Sequence, residues 1–230
     1  MFPTTSWSLV VAAGQNAPAA LSSLCERYWQ PVYVFLRRSG HSPDAAQDLA
    51  QGFFTTLIEK HSVQAADPAR GRFRSFLLAS LRNWTANQHD LAGAQKRGGQ
   101  FRFVPLDLQS AEHQCAADLA GSETPERAFL RRWALSLLDQ VKERLRLESV
   151  SRGKADHFSL LKGYLVSGDD TVPYKELAQT MGSTEAAVKM TLSRLRRRYR
   201  ELLLDEISQT VSDPAEVQDE VRFLFQALRG

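Results

Sequence analysis

The chain has 230 residues, of which 43% are hydrophobic and 24% charged, with 13 Gly and 9 Pro; that composition excludes collagen-like, low-complexity and wholly disordered readings. Its two cysteines, Cys25 and Cys115, lie far apart, which argues against a disulfide scaffold and against a cysteine-ligated zinc site. The net charge of +3 hides a pattern: +5 from Arg70 to Arg97, −3 from Gly98 to Pro125, +5 from Gly182 to Arg200 and −5 from Glu201 to Gly230. Two separated basic patches suit a polyanionic partner better than diffuse surface charge does.

The start of the chain has no basic region, and its apolar run spans only Leu9 to Ala13. A membrane span needs about 20 apolar residues, so a cytoplasmic chain with no membrane association is expected. The first helical stretch carries Leu21, Leu24, Cys25, Tyr28, Val32, Phe35 and Leu36 at steps of three and four. Pro31 is expected to kink or divide it. Ser42-Pro43-Asp44 then forms a helix start: Ser42 can cap, Pro43 suits the first turn and Asp44 complements the dipole. That helix carries Leu49, Phe53 and Leu57. After a loop with breakers at Asp67-Pro68 and Gly71, a third helix runs from about Phe73 to about Leu91. Its apolar stripe is Phe73, Phe76, Leu77, Ser80, Leu81 and Trp84, with Arg74, Arg82 and Asn83 off it.

Gly98-Gly99 ends this first unit. The polar segment to Ser122 reads as a linker, with Phe101 to Leu106 as the sole strand candidate. Thr124-Pro125-Glu126 starts another helix, on which Phe129, Trp133, Leu137, Val141 and Leu145 recur every four residues. Phe158, Leu161 and Leu165 mark a shorter one. A last helix starts at Ser212-Asp213-Pro214 and carries Val217, Val221, Leu224, Phe225 and Leu228. The class is all-α, in two bundles.

The run from Tyr174 to Val188 has helix-turn-helix spacing. Ala178 is small where two helices cross, Gly182 sits in the turn where a positive φ is cheap only for Gly, and Ser183 or Thr184 can cap the second helix. Val188, Leu192, Leu195 and Tyr199 face the core. Glu185, Lys189, Ser193, Arg196, Arg197 and Arg200 face away. A capped helix with a cationic outer face fits a major groove: its first turns reach base edges and later Arg residues hold phosphates.

Three ordered patterns now resemble one family. Ala46-Gln47-Asp48-Leu49-Ala50-Gln51-Gly52-Phe53-Phe54 is similar to the docking motif A-E-D-L-x-Q-E-x-F of the extracytoplasmic-function group of sigma-70 factors. The stretch Arg70-Gly71-Arg72-Phe73-Arg74-Ser75-Phe76-Leu77-Leu78, followed by Asn83, resembles that family's promoter −10 segment. The helix-turn-helix, with Val188-Lys189 and Arg194-Leu195-Arg196, resembles its −35-reading domain. The likeness covers about Ala19 to Leu204. More narrowly, the Pro68–Leu78 and Arg194–Leu203 segments and the acidic tail resemble the subgroup associated with serine/threonine kinases.

The resemblance implies an alternative sigma factor that binds core RNA polymerase and promoter DNA, without enzymatic activity or cofactor. It implies a polymerase- and −10-binding domain over 1–98, a linker over 99–123, a −35-binding domain over 124–204 and an acidic extension over 205–230. Polymerase contact falls to Asp44, Gln47, Asp48, Gln51 and Phe54. The −10 strand falls to Arg70, Arg72, Arg74, Arg82, Asn83, Lys96 and Arg97. The −35 duplex falls to Ser183, Thr184, Glu185, Lys189, Ser193, Arg196 and Arg197. Arg194, Arg198 and Arg200 reach phosphates or pair with nearby acids.

Two docking acids are absent, since Gln47 and Gly52 stand where the family has Glu. In relatives of the subgroup, the position of Ala50 is often a Thr whose phosphate supplies the missing charge. Here Ala50 has no hydroxyl, and Thr55 and Thr56 are the nearest candidates for a kinase. The tail helix either packs within the chain, on the second bundle, or docks a partner. The competing reading is a helix-turn-helix regulator that never touches polymerase. An enzyme is disfavoured: His41, His61, His89, His113 and His157 are scattered, and no phosphate-binding Gly loop or carboxylate cluster accompanies them.

Overall fold

Two of the expected helix starts are closed by their capping side chains. In a computed structural model, Ser42 Oγ accepts the Ala45 N–H at 3.3 Å, and Thr124 Oγ1 accepts the Arg127 N–H at 3.3 Å. The structure describes residues 7–15, 17–67, 69, 71–91, 112, 115–116, 118–119, 122–166, 171–211 and 213–229. Among these there is no strand, and the fold is all-α. The strand candidate at Phe101 to Leu106 lies outside the described residues. The helices are α1 Trp7–Gly14, α2 Pro18–Arg38, α3 Pro43–Glu59, α4 Phe73–Leu91, α5 Pro125–Ser151, α6 Ala155–Leu161, α7 Tyr174–Thr180, α8 Glu185–Ser208 and α9 Val217–Arg229.

Contacts divide the chain into two units, Met1–Ser136 with Ile207–Gly230, and Leu137–Glu206. The division falls inside α5, and the C-terminal extension belongs with the N-terminal unit. The tail thus packs within the chain, and Trp133 of the expected second bundle is among its contacts.

The core of the first unit contains Leu24, Tyr28, Tyr33, Leu36, Phe53, Phe54, Leu77, Leu81 and Phe129, all fully buried. Each such side chain contributes about 1.5–3 kcal/mol when removed from water. The short apolar run at the start is helical: α1 buries Leu9, Val10 and Ala13. Pro31 does not divide α2, which continues to Arg38. The ring forfeits a backbone hydrogen bond, yet Leu24 and Tyr28 before it and Val32 and Leu36 after it are all buried, and that continuous packing holds the helix together.

The latter part of the expected linker is also anchored on this unit. Tyr33 Oη and Arg37 Nε both donate to Glu112 Oε1, the latter at 2.7 Å. Cys115 is buried, and so is Asp118, which lies 3.3 Å from Arg132 Nη1 and 3.6 Å from Arg131 Nη1. Burial holds the Asp118 carboxyl above its ordinary range despite those two arginines. Burial likewise pushes the Cys25 thiol up to about 12 and the Cys115 thiol up to about 11, so both are unreactive at neutral pH.

The second unit is built on Leu161, Val172, Leu177, Ala178, Val188 and Leu192, with Tyr174, Met181 and Leu195 packed around them. The stripe on α5 continues here, with Leu137, Val141 and Leu145 buried.

Candidate nucleic-acid interface

The turn between α7 and α8 has the geometry that its residues require. Gly182 adopts φ +58, a left-handed conformation that costs other L-residues roughly 1–2 kcal/mol. Its N–H donates to the Gln179 carbonyl at 3.2 Å, and the Ser183 N–H to the Ala178 carbonyl at 2.9 Å, closing α7. Of the two candidate caps, Thr184 does the work: its Oγ1 accepts the Ala187 N–H at 3.2 Å. Ala178 is buried where the helices cross, Val188 and Leu192 face inward, and Leu195 and Tyr199 are half-buried.

The outer face of α8 is open. Ser183, Thr184, Glu185, Lys189, Ser193, Arg197 and Arg200 are exposed. Val172, Tyr174, Lys189, Ser193, Arg196, Arg197 and Arg200 line a groove of about 890 Å³. Lys189 Nζ sits 4.9 Å from the Tyr174 ring centre, a cation–π contact that aims the ammonium along this wall. Tyr174 is a groove residue that sequence reasoning assigned only to the motif.

The arginines divide by role. Arg197 is 77% exposed, with only a 3.8 Å approach to Glu201. Arg196 lines the groove, but its Nε and Nη2 donate to the Tyr164 carbonyl at 3.2 and 3.0 Å, so part of its donor fork is committed to the fold. Arg198 takes the second of its two expected roles. It holds Glu148 bidentately at 2.8 Å and Glu201 at 3.0 Å, and these carboxylates raise its pKa, Glu148 foremost. Arg194 is exposed beside Met190.

In the first unit two arginines of the basic segment are covered, Arg72 and Arg74. Arg82 and Asn83 are exposed on α4, and Arg70, Lys96 and Arg97 lie outside the described residues. Arg72 Nη1 lies 2.7 Å from Glu216 Oε2, and its Nε 3.2 Å from Glu220 Oε2. Arg74 is buried at 6% exposure and donates to both carboxylate oxygens of Glu220, through Nη1 and, at 3.0 Å, through Nη2. Its guanidinium carbon lies 4.5 Å from the Trp133 ring centre and 4.2 Å from that of Phe223. Burial lowers the Arg74 pKa against the pull of Glu220; for Arg72 burial opposes, but Glu216 and Glu220 prevail and the pKa rises. The assignment of Arg72 and Arg74 to an open DNA-binding surface is thus corrected: both are occupied by acids of the extension. The expected apolar face of α9 is corrected only at Phe225, since Leu224 is buried and Val217, Val221 and Leu228 are half-buried. Leu224 and Glu220 are buried and Phe223 contacts Trp133, whereas Phe225 is 49% exposed.

On α3, Asp44 and Asp48 are exposed, and Gln47 and Gln51 are half-buried. Phe54 is fully buried, stacked on Trp29 at 6.1 Å, so its placement on a docking face is corrected to the core. Ala50 is also fully buried, so no small side chain there reaches solvent. A Cβ on Gly52 would lie 3.4 Å from the Trp84 ring. Thr55 is half-buried; Thr56 Oγ1 donates to the Gly52 carbonyl at 2.8 Å and accepts from Trp84 Nε1 at 3.2 Å.

Among the described residues no group of His, Cys, Asp and Glu is arranged to hold a metal, and no helix is long and apolar enough to cross a membrane. No protein-family model matches the chain, and no curated protein or solved structure matches it.

Proposed function

We propose that the chain is an alternative sigma factor, which joins core RNA polymerase and directs it to promoters. The observation that carries the reading is the capped α8 with its open cationic groove. Thr184 caps the helix with Ser183 just before it, Glu185, Lys189 and Ser193 occupy its first turns, and Arg197 and Arg200 follow on the exposed side. This arrangement suits base edges first and phosphates next along a −35 duplex. What separates a sigma factor from a plain helix-turn-helix regulator is α3. Its exposed Asp44 and Asp48 fit a basic polymerase surface.

Gln47 and Gly52, in place of two acids, make unaided docking weak. A serine/threonine kinase is the proposed activating partner. A phosphate adds about −1.5 to −2 charges. Thr56 holds two hydrogen bonds that phosphorylation would break, so Thr55 is the acceptor on α3 whose modification disturbs the fold least.

The test is capture of bacterial core RNA polymerase by the full unmodified chain, with Gln47→Glu and Asp48→Lys beside it. Gln47→Glu restores one acid without crowding Trp84. Weak capture by the native chain, gain with Gln47→Glu and loss with Asp48→Lys are expected. If neither the native chain nor Gln47→Glu captures polymerase while duplex DNA is still bound, the regulator reading replaces this one.

A further inference from the structure

We propose that the second unit holds a binding site for a small aromatic phosphate monoester, in a cavity where the end of α5, the start of α6 and the middle of α8 meet. The cavity measures about 140 Å³ and shares no lining residue with the duplex groove. Its floor is apolar: Leu145 and Phe158 are buried and Leu195 is half-buried. The hydroxyls of the lining donate to their own helices. Ser149 Oγ donates to the Leu145 carbonyl and Thr191 Oγ1 to the Ala187 carbonyl, each at 2.8 Å. An apolar cavity of about 150 Å³ accepts one benzene ring, so this floor has room for a single ring and little more.

The rim carries more positive charge than its own acid can balance. Arg152, Lys154, Arg194 and Arg198 surround one lining carboxylate, Glu148. Both oxygens of Glu148 are taken by Arg198 at 2.8 Å, and the remaining arm of Arg198 reaches Glu201 at 3.0 Å. That pair is wall. Arg152 approaches Glu148 only at 3.9 Å and is 64% exposed. Among the described residues Lys154 and Arg194 form no ion pair, and Arg194 meets the Met190 sulfur at 3.1 Å. Three cations are thus left for a ligand at the mouth of an apolar pocket. A phosphate monoester carries about −1.5 to −2 charges at neutral pH and matches the fork of an arginine, so it answers several cations where a carboxylate answers one. Its ring enters the floor and its phosphate stays at the rim. A DNA duplex offers phosphates to the rim, but its stacked bases leave no ring for the floor. The site is independent of the sigma-factor reading, because its lining lies outside α3, α4 and the duplex groove.

The experiment titrates phenyl phosphate into the full chain and follows backbone amide shifts, with inorganic phosphate and benzyl alcohol as comparison probes. Saturable shifts at Ser149, Lys154, Phe158 and Thr191 are expected. Burial of the ring should make phenyl phosphate bind at least about tenfold more tightly than inorganic phosphate. Benzyl alcohol has the ring without the charge and should bind at least about tenfold more weakly than phenyl phosphate. Arg152→Ala/Lys154→Ala alters two exposed side chains, so the fold should persist while phenyl phosphate weakens roughly tenfold. Equal affinity for phenyl phosphate and inorganic phosphate overturns the proposal, as does equal affinity for benzyl alcohol, or binding that Arg152→Ala/Lys154→Ala leaves unchanged. Shifts centred on Tyr174 and Ser193 would put the anion in the duplex groove and overturn it too. So would the absence of saturable shifts up to about 10 mM, weaker than any specific site of interest. Polymerase capture is scored separately: its failure leaves this site standing, and failure here leaves the sigma-factor reading standing.

Discussion

The two basic segments carry the same charge, +5 each, and the fold treats Arg72 and Arg74 of the first and the outer face of the second oppositely. At the head of α4, Arg72 and Arg74 are paired with acids more than 140 residues away in sequence, and one guanidinium lies against two rings. Along α8, Lys189, Arg197 and Arg200 face an open groove, and the acids nearby engage chiefly Arg198. Charge counted along the chain measures supply. Only the fold decides whether a cation is spent on its own protein or left for a partner. Arg72 and Arg74 are therefore expected to respond to mutation mainly in stability, and the second patch mainly in binding.

The largest effect should come from breaking the first patch at its floor. Trp133 is 3% exposed and supports both Arg74 and Phe223. Trp133→Ala removes a buried aromatic and opens a cavity, a change that costs about 3–5 kcal/mol. Thermal unfolding should begin at markedly lower temperature, and hydrogen exchange in α9 should rise with it. A melting curve within 1–2 °C of the native chain would mean that the contacts of Trp133 with Arg74 and Phe223 contribute little.

The second patch should behave in the reverse way. Arg197→Ala/Arg200→Ala removes two exposed cations, so stability should change by no more than about 0.5 kcal/mol. Affinity for duplex DNA should fall roughly 10- to 100-fold, and the slope of log K against log salt should shrink by about 2. Fluorescence anisotropy over a salt series reads both quantities. If affinity stays the same, α8 does not hold phosphates, and the contrast between the patches disappears.

Local chemistry was legible before any coordinates. Ser42, Thr124 and Asp213 each cap the helix or turn that follows them, and Gly182 takes the positive φ assigned to it. The stripe from Phe129 to Leu145 is buried throughout. These features depend on residues within a few positions of one another. Features that depend on distant partners were not legible. The α9 stripe predicted Phe225 inside, but Glu220 is buried on the arginines of α4 while Phe225 is turned out. One signal was available: two acids four residues apart on the tail, matched to two arginines two residues apart. Periodicity alone could not join them. Phe54 was misplaced for a related reason, because a motif position names a residue without saying which way its helix faces.

The smallest effect sharpens the comparison from the acid side. Glu148 binds Arg198 through both oxygens, and that hydrogen-bonded arginine holds its carboxyl below the ordinary value of 4.5. A depressed carboxylate stabilises the folded state at pH above its ordinary value, and that contribution is lost as pH falls through the lower folded value. The pair is partly exposed, with 23% and 36% of its side chains accessible, so solvent screening limits it to about 1 kcal/mol or less. Glu148→Gln should therefore lower stability by that amount from neutral pH down to about 5, and the gap to the native chain should close below the ordinary glutamate range. Urea titrations at a series of pH values read the gap directly. A gap that persists unchanged well below pH 4 would assign the pair's contribution to packing of the Arg198 stem rather than to charge. Duplex binding should stay within twofold of the native chain at neutral pH, since Arg198 is directed at its own acids. A larger loss would move it into the open set with Arg197 and Arg200.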